Sequence, residues 1–593
     1  MVEESPPYPS PLALVADPQN QLLYIAEFTA RRIAVFEIAT ERVRRTIPLP
    51  DRPSGLALSA DGNRLYVTGG VAAGKVYVVD PRQGVVLETF AAGHTPNAPV
   101  LSRDGNTLFV CNRFNNNVSV HDLKSKALTA RIAVGREPVA AKLSADGRRL
   151  FVANQLPAGP ANSGDVAAVV SVIDTALLRS VEAIRLPDGS TGLRDLCLSP
   201  DGWHLYVTHI LSRYKLPASQ IERGWIQTNA LAVIDAGKRK LTTSVLLDDI
   251  NLGAANPWGI ACTGDGKFLL VAHAGTHEVS VIDRQALHRK LEGTGRGEKV
   301  SDVSTSGGEV VNDLAFLTGI RMRVPLKGNG PRGLAVIGST LYAAEYFTGS
   351  LGVVELAAGG RPASRSVKLG EDLPLTAERR GEMLFHDAQY CLEKWLSCSS
   401  CHPGEGRPDG LNWDLMLDGV GNPKNTKSLL FSHQTPPTTV TGSRPNAEAS
   451  VRAGFRYIQF AERPEEDAAS VDAYLKSLRP APSPYLVDGR LSAAAERGKK
   501  IFDKAGCGFC HSGPFYTDMR KHNPGTGRGR EEGIAFDVPT LVEIWRTAPY
   551  LHDGRAPTLK DLFTASGSGP VHHLAAPANQ HDIDDLVAFV SSL

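Results

Sequence analysis

Residues Leu56–Thr68 read LALSADGNRLYVT, and variants of this stretch recur through the first 370 residues. Related copies lie at Leu101–Val110 and Leu143–Val152, each with an Asp-Gly pair at its centre. Two apolar runs joined by Asp-Gly predict a β-hairpin, because so tight a turn needs residues that tolerate positive φ. Further strand-like runs such as Lys75–Asp80 follow each hairpin. Each repeat of about 40 residues therefore predicts four short antiparallel strands.

The second strand of each repeat marks the number of repeats. The markers are Leu23, Leu65, Leu108, Leu150, Leu205, Leu269 and Leu341. Seven such repeats predict a seven-bladed β-propeller over residues 1–370. The repeats resemble the bacterial propeller family named for its Tyr-Val-Thr-Asn signature, with Leu65–Thr68 and Leu205–Thr208 closest to it.

The later repeats are longer than the early ones. The first markers are 42, 43 and 42 residues apart and the later ones 55, 64 and 72, which indicates insertions at Ile210–Thr228 and Gly293–Gly330. Long loops on a rigid scaffold commonly carry binding residues, although surface insertions can also be merely tolerated. We expect the first insertion to contact the other half of the chain, since it carries aromatic and basic residues that suit an interface. These residues are Arg213, Tyr214, Arg223 and Trp225.

Two copies of Cys-x-x-Cys-His stand in the last 220 residues, at Cys398–His402 and Cys507–His511. In this signature of c-type haem attachment, the thiols add to the haem vinyl groups and the histidine is placed under the iron. A structural zinc site made from four cysteines is the alternative, but it needs no histidine beside each pair. The sequence thus predicts two covalent haem c groups, held by Cys398, Cys401, Cys507 and Cys510, with His402 and His511 as axial ligands.

The haem half is itself duplicated. Arg380-Gly381 with Phe385 matches Arg497-Gly498 with Phe502, and each set lies on a predicted helix opened by an N-cap hydroxyl, Thr376 or Ser492. The closing stretches Val471–Leu478 and Leu586–Leu593 match as well. The pattern predicts two tandem all-α cytochrome c domains, at residues 371–484 and 485–593, joined near Pro480–Pro484.

A family resemblance covers nearly all of residues 371–593. Val538–Leu541 (VPTL) and Thr547–Gly554 (TAPYLHDG) resemble strings of the bacterial di-haem cytochrome c peroxidase and MauG superfamily. The resemblance implies that His402 serves a reactive haem that meets peroxide and His511 a haem that relays electrons. It also implies a calcium ion between the haem domains, held by Asn425, Thr547 and Pro549.

The sequence departs from this family at two places. Thr439–Gly442 stands where the family commonly keeps a tryptophan that relays electrons between haems. Ser566 falls where the family supplies a Met or Tyr as sixth ligand of the second haem, and His572 and His573 follow closely. We expect one of these two histidines to complete a bis-histidine haem, with Met519 and His522 as further options.

The distal side of the first haem is less well defined by the sequence. Gln459 and Glu462 lie near where the superfamily keeps an acidic proton-transfer residue, and Arg456 and His433 are further candidates. A carboxylate there serves as acid and base in splitting an O–O bond, and an arginine stabilises the departing negative charge. Each of the four is also compatible with an ordinary surface position.

Composition excludes several classes of function. The 64 basic and 63 acidic residues show no basic stripe, so no nucleic-acid partner is expected. No apolar run is long enough to span a membrane. Met1–Pro11 shows no signal peptide, yet haem attachment indicates export, so we expect a mature periplasmic or otherwise exported chain whose leader is missing.

Three functions remain open at this point. The first is a periplasmic di-haem peroxidase or MauG-type oxidoreductase whose propeller shapes access of a small-molecule substrate or a redox partner protein. The second is a haem dehydrogenase or oxidase acting on a small nitrogen or organic compound, since the architecture resembles hydrazine synthase β and γ subunits joined. The third is a non-catalytic electron carrier with a propeller docking platform.

Overall fold

The computed structural model describes residues 7–217, 226–356, 362–415, 421–564, 572 and 580–593. Residues 11–368 form seven successive antiparallel sheets, which confirms the seven-bladed propeller. Each marker leucine lies in the second strand of its sheet and is fully buried. These leucines occupy the apolar layers between neighbouring blades, which explains why the repeat could be read from them.

The first four blades each consist of four strands. Their strands are β1 (Pro11–Asp17), β2 (Leu22–Glu27), β3 (Arg32–Glu37), β4 (Arg42–Pro48), β5 (Pro53–Leu58), β6 (Leu65–Gly69), β7 (Lys75–Asp80), β8 (Val85–Ala91), β9 (Pro96–Leu101), β10 (Thr107–Asn112), β11 (Asn117–Asp122), β12 (Ala127–Ala133), β13 (Pro138–Leu143), β14 (Arg149–Asn154), β15 (Val169–Asp174) and β16 (Arg179–Arg185). Each strand pairs with the next in sequence, from the innermost to the outermost position of its blade.

The last three blades carry the irregular features. Their elements are β17 (Ser190–Thr191), β18 (Leu196–Leu198), β19 (His204–Ser212), β20 (Gln227–Asp235), β21 (Lys240–Leu246), β22 (Pro257–Cys262), β23 (Phe268–His273), β24 (Glu278–Asp283), α1 (Arg284–Gly295), β25 (Arg321–Pro325), β26 (Pro331–Ile337), β27 (Thr340–Glu345), β28 (Ser350–Glu355) and β29 (Ser364–Lys368). The inner strand of blade five is split, since β17 and β18 both pair with β19.

The insertion bounds expected from the marker spacing were wrong. Residues 210–212 and 227–228 belong to β19 and β20, because these two strands pair over nine residues. The second insertion begins within α1 and runs through β25, the outer strand of blade six. Marker spacing measures added length but not whether that length extends a strand or a loop.

Blades one and seven close the ring by packing. Phe36 of β3 meets Tyr342 of β27 edge to face, with ring centroids 6.4 Å apart. A Cβ at Gly333 of β26 would lie 2.7 Å from the carbonyl oxygen of Leu12, so the two inner strands approach closely only because this residue is glycine. The ring is therefore closed by apolar contact between sequentially complete blades.

The haem half contains short helices joined by irregular chain. Its helices are α2 (Ala377–His386), α3 (Cys398–Cys401), α4 (Pro403–Gly406), α5 (Ala447–Tyr457), α6 (Glu465–Ser477), α7 (Ala493–Lys504), α8 (Leu559–Thr564) and α9 (Gln580–Ser591). Its strands form two-residue ribbons: β30 (Asn412–Trp413) with β31 (Lys424–Asn425), and β32 (Lys521–His522) with β33 (Phe536–Asp537).

The predicted duplication appears as two crossed helix pairs. Thr376 caps α2 and Ser492 caps α7, as the sequence predicted. α2 crosses α6 at Gly381, and α7 crosses α9 at Gly498. A Cβ at either glycine would lie 1.9 Å from a carbonyl oxygen of the partner helix, Ser470 or Asp585, so only glycine permits these crossings.

Two tandem all-α domains are not confirmed. Helices make up a minor part of the described residues after 370, and ribbons and irregular chain make up the rest. The boundaries at 371–484 and 485–593 remain predictions. In the described ranges, no helix combines the length and apolar character that a membrane span requires.

Candidate functional site

Both Cys-x-x-Cys-His motifs open into one cavity of about 840 Å³. Its wall combines apolar side chains with a small set of polar groups, as is usual for cofactor sites. All six motif residues that would hold haem line it: Cys398, Cys401, His402, Cys507, Cys510 and His511. Two motifs far apart in sequence therefore share one chamber.

The first motif is rigidly held. Cys398 and Cys401 begin and end α3, and Ser397 and Ser400 form a capping box in which the Ser397 amide donates to Ser400 Oγ at 3.0 Å. Burial raises the pKa of Cys398 to about 12, so this thiol is neutral before it is alkylated. Burial also lowers the pKa of His402 to about 4, which keeps the imidazole neutral, the form that binds a metal.

The second motif orients its histidine through the backbone. His511 Nδ1 lies 3.0 Å from the carbonyl oxygen of Tyr516, which leaves Nε2 free to face an iron. Burial lowers the pKa of His511 to about 4. Phe509, between the two cysteines, is 78% exposed.

The propeller packs directly against the first motif. Asn256, before β22, donates from Nδ2 to Ser397 Oγ at 2.8 Å and accepts from Ser400 Oγ at 2.8 Å. Gln227 of β20 donates from Nε2 to Cys401 Sγ at 3.2 Å. These contacts come from blades five and six, the blades in which the sequence indicated insertions.

The first insertion reaches the haem half partly as expected. Tyr214 packs in an apolar cluster with Leu396 and Trp413, both from the haem half. Arg213 instead donates to the carbonyl oxygen of Val311 within the propeller, at 2.8 Å. Arg223 and Trp225 lie outside the described residues.

One of the four distal candidates faces the cavity. Gln459 is 2% exposed, lines the cavity near Cys398, and has no partner for its Oε1 among the described residues. Arg456 and Glu462 are at the surface. His433 is buried outside the cavity wall and bonds through Nε2 to Asp472 at 2.9 Å, which in turn pairs with Arg452. The structure thus offers a buried amide at this position, whereas the carboxylate and the arginine point to solvent.

The sixth-ligand candidates separate clearly. His572 lines the cavity, and its charge contributes to lowering the His511 pKa, whereas His573 lies outside the described residues. Met519 is 41% exposed and is absent from the cavity wall. His522 lines the cavity, but its Nε2 bonds to Asp518 at 2.6 Å. Its place in the cavity close to His511 therefore favours His572 as the sixth ligand.

The three calcium candidates come together at the cavity wall. Asn425 donates from Nδ2 to the Pro549 carbonyl oxygen at 2.6 Å, and its Oδ1 has no partner in the described structure. Thr547 lines the same region. An unpaired amide oxygen beside a carbonyl oxygen suits a hard cation such as calcium.

Sequence reasoning missed a charged pair in the cavity. Lys427 and Asp537 form an ion pair there, and burial nevertheless raises the pKa of Asp537, with Lys427 opposing the shift. Asp537 directly precedes the VPTL string, which was the available signal. Phe431 and Phe515 form an aromatic pair with ring centroids 4.8 Å apart, while no tryptophan stands at Thr439–Gly442.

Comparison with protein families finds similarity to cytochrome c-like proteins and to hydrazine synthase subunits. A family model described as RoxA-like, cytochrome c-like matches residues 535–568. Hydrazine synthase subunit gamma of Kuenenia stuttgartiensis is 29% identical over 272 residues, covering 36% of this chain and 77% of that subunit. Subunit beta is 29% identical over 210 residues, covering 33% of this chain and 52% of that subunit.

More distant relatives are enzymes of the MauG and peroxidase type. The methylamine utilization protein MauG of Methylophilus methylotrophus is 25% identical, covering 39% of this chain and 87% of that protein. Cytochrome c551 peroxidase of Pseudomonas aeruginosa is 24% identical, covering 37% and 80%. A solved structure of K. stuttgartiensis hydrazine synthase matches with a TM-score of 0.54 at 25% identity, covering 60% of this chain and 99% of that one.

The expected resemblance is thus confirmed. The chain has homologues among hydrazine synthase subunits and among MauG and cytochrome c peroxidases. Together with the cytochrome c-like match, they support an oxidoreductase that carries covalently bound haem c.

Proposed function

We propose that the protein is an exported di-haem oxidoreductase of the cytochrome c peroxidase or MauG type. The observation that carries the proposal is the single cavity lined by both attachment motifs. Haem groups held by the two motifs would share this chamber, so that electrons could pass between them without a partner protein. Export, to the periplasm or beyond, follows from the chemistry of thioether attachment.

The residues present fit this cofactor. Cys398 with Cys401, and Cys507 with Cys510, supply paired thiols, and His402 and His511 supply neutral imidazoles. Bound haem c would supply iron that exchanges single electrons and, where an axial position is open, binds a small ligand. In this proposal His402 would hold the reactive haem, His511 would hold the haem that exchanges electrons with a partner protein, and His572 or His573 would be the second histidine to bind the latter.

Side chains in the cavity would hydrogen-bond the oxidant and exchange protons with it. Gln459 would hydrogen-bond a small oxygen compound in the cavity near Cys398, since an amide both donates and accepts but does not titrate. Burial raises the pKa of Asp537, so this carboxyl group could take up and release a proton during the reaction. Lys427 would balance the negative charge of its ionised form. This assignment replaces the surface residues Glu462 and Arg456 with buried ones.

Calcium would join the two haem-bearing segments. Asn425 from β31 and Pro549 from the TAPYLHDG string lie side by side at the cavity wall, so that one ion bound to both would tie these two segments together. Chelation should lower the thermal stability of the haem half and change the spectrum of the holoprotein, and added calcium should restore both. A protein purified in chelator that contains no calcium and behaves normally would rule the ion out.

The decisive experiment combines mass and spectroscopy on the holoprotein. The denatured chain should carry the mass of two haems, and the spectrum should show one high-spin and one low-spin iron. Bis-histidine ligation of the second haem predicts that the charge-transfer band of methionine ligation is absent. Cyanide and peroxide should perturb the high-spin signal alone.

If both irons were six-coordinate and peroxide did not change the spectrum, the electron-carrier function would be favoured instead. A redox partner protein and a small-molecule substrate belong to the proposal, and nucleic acid does not. The propeller would restrict access to the first haem, because blades five and six cover its attachment loop.

A second candidate is an enzyme that acts on a small nitrogen compound, as the hydrazine synthase relatives suggest. The 29% identity to subunit gamma over 77% of its length favours it. Oxidation of hydroxylamine, hydrazine or an organic amine by the holoprotein with an artificial electron acceptor, at a rate above that with peroxide, would select this function.

A further inference from the structure

Three neighbouring blades place unusual side chains at one register position of the propeller channel. Leu198, Cys262 and Val336 pair with the marker leucines of blades five, six and seven. Four residues before each of them stand Arg194, Trp258 and Arg332, respectively. The same position in the first four blades carries Leu12, Ser54, Asn97 and Val139. The two arginines and the tryptophan are thus consecutive around the ring.

Both guanidinium groups stack on the same indole. The Cζ atoms of Arg194 and Arg332 lie 4.1 Å and 4.5 Å from the Trp258 ring centroid. Arg332 also lies 3.4 Å from the ring centroid of Tyr346. Aromatic faces attract such cations but do not neutralise them.

The described structure offers neither arginine an ion pair. Glu382, whose charge acts on Arg332, pairs with Arg379 at 2.8 Å. Glu137, whose charge acts on Arg194, pairs with Arg113 at 2.7 Å. Arg332 is 8% exposed, and its Nε has no hydrogen-bond partner among the described residues.

A small cavity separates these groups from the haem half. Arg194, Trp258 and Arg332 line it together with Asn256, His386 and Ser399. Its free space suits about one water-sized species. Burial first, and then the charges of Arg332 and Arg194, lower the pKa of His386 far below its usual range, so that this imidazole is neutral.

Positive charge therefore accumulates here without compensation. Burial, together with the charges of Arg113 and Arg332, lowers the pKa of Arg194 to about 9, which shows how unfavourable a third cation would be. A buried charge is tolerated when it is paired, and arginine forks are well suited to anions. A water molecule would hydrogen-bond the Nε of Arg332 but would leave both charges unbalanced.

We propose that this channel cavity is a binding site for one small monovalent inorganic anion of about the size of chloride, held between Arg194 and Arg332. The room available excludes phosphate and carboxylate metabolites, and the two guanidinium groups exclude cations. Ser399 of the first Cys-x-x-Cys-His loop borders the site. A bound anion would thus stabilise the contact between the propeller and the haem half. This proposal does not depend on the number of haems or on the reaction.

Bromide in crystals of the holoprotein tests the position of the site. We expect an anomalous peak between the two guanidinium groups in the wild type, and none in Arg332→Met or Arg194→Met. Arg185→Met is the matched control, because Arg185 is an exposed arginine of blade four whose partner is Asp165. It should keep the peak. A wild-type cavity that contains only water, or a bromide that persists in Arg332→Met, would overturn the proposal.

Melting of the wild-type holoprotein supplies a test that needs no variant. Sodium chloride and sodium gluconate are compared at equal ionic strength, because gluconate is too large to enter. Saturating chloride should raise the melting temperature by about 2 °C or more over gluconate, with saturation in the millimolar range. Equal melting in the two salts, or binding at crystal concentration only, counts against the site.

Discussion

The two attachment loops have the same chemistry but different surroundings. In the first loop, Ser399 and Ser400 are buried, and Asn256 of the propeller binds it through hydrogen bonds. In the second loop, Gly508 and Phe509 face solvent, and Phe509 is 78% exposed. The sequence duplicates the motif, whereas the propeller covers only one copy.

The difference indicates how the two sites divide their work. A covered loop limits water and sets a low local dielectric, which suits a centre where a reactive ligand is handled. An exposed aromatic residue between the two cysteines would give a partner protein an apolar contact close to the second attachment site. We expect electrons to enter through the second loop and chemistry to occur behind the first.

Removing one pair of thiols should have the largest effect. Cys398→Ala with Cys401→Ala, and Cys507→Ala with Cys510→Ala, should each lower the mass of the denatured holoprotein by one haem. The first double variant should lose the high-spin spectrum and the second the low-spin spectrum. If either variant kept the wild-type mass, that motif would not attach haem.

Loss of the contact between Asn256 and the first attachment loop should lower the stability of the protein and affect the first site alone. Asn256→Ala removes two buried hydrogen bonds, to the hydroxyls of Ser397 and Ser400, so the free energy of unfolding should fall by about 1–3 kcal/mol. Resonance Raman spectra should change for the first haem alone. Asn106→Ala, which removes a side chain from the Asp-Gly turn between β9 and β10 of blade three, is the control and should change neither the stability nor the spectra.

Shortening the loop between β19 and β20 should change access to the first haem. Replacing residues 216–225 by a short Gly-Ser linker keeps both strands and should alter the rate of cyanide binding at the high-spin iron several-fold. Stopped-flow absorbance measures the rate, and mass spectrometry checks that both haems remain. An unchanged rate would make the propeller a docking platform and not a wall of the active site.

Removing the exposed side chain of Phe509 from the second attachment loop should have the smallest effect. Phe509→Ala removes apolar contact area but no iron ligand, so electron exchange with a small redox protein should slow by about threefold, with ligand binding at the first haem unchanged. Trp203→Ala is the control, because Trp203 is 69% exposed on the propeller. Equal slowing in both variants would argue against a docking role for the second loop.

Local patterns predicted much of the fold. The marker leucines predicted seven blades because each is buried between blades in every repeat, and Thr376 and Ser492 predicted helix starts because a cap acts within one turn. The haem residues were readable because thioether attachment requires adjacent cysteines and histidine. The ends of β19 and β20 were not readable, since strand length depends on pairing between distant segments.

By itself, the sequence determined the propeller repeat, the two attachment motifs and the capped starts of α2 and α7, because each follows from short-range geometry. Only the tertiary structure decided that both motifs open into one cavity, that Gln459 faces it while Glu462 and Arg456 do not, and that Asp537 meets Lys427 there. It also decided that Arg194 and Arg332 meet around Trp258. Such contacts join residues far apart in the chain, and their burial and charge balance depend on how whole blades and helices pack.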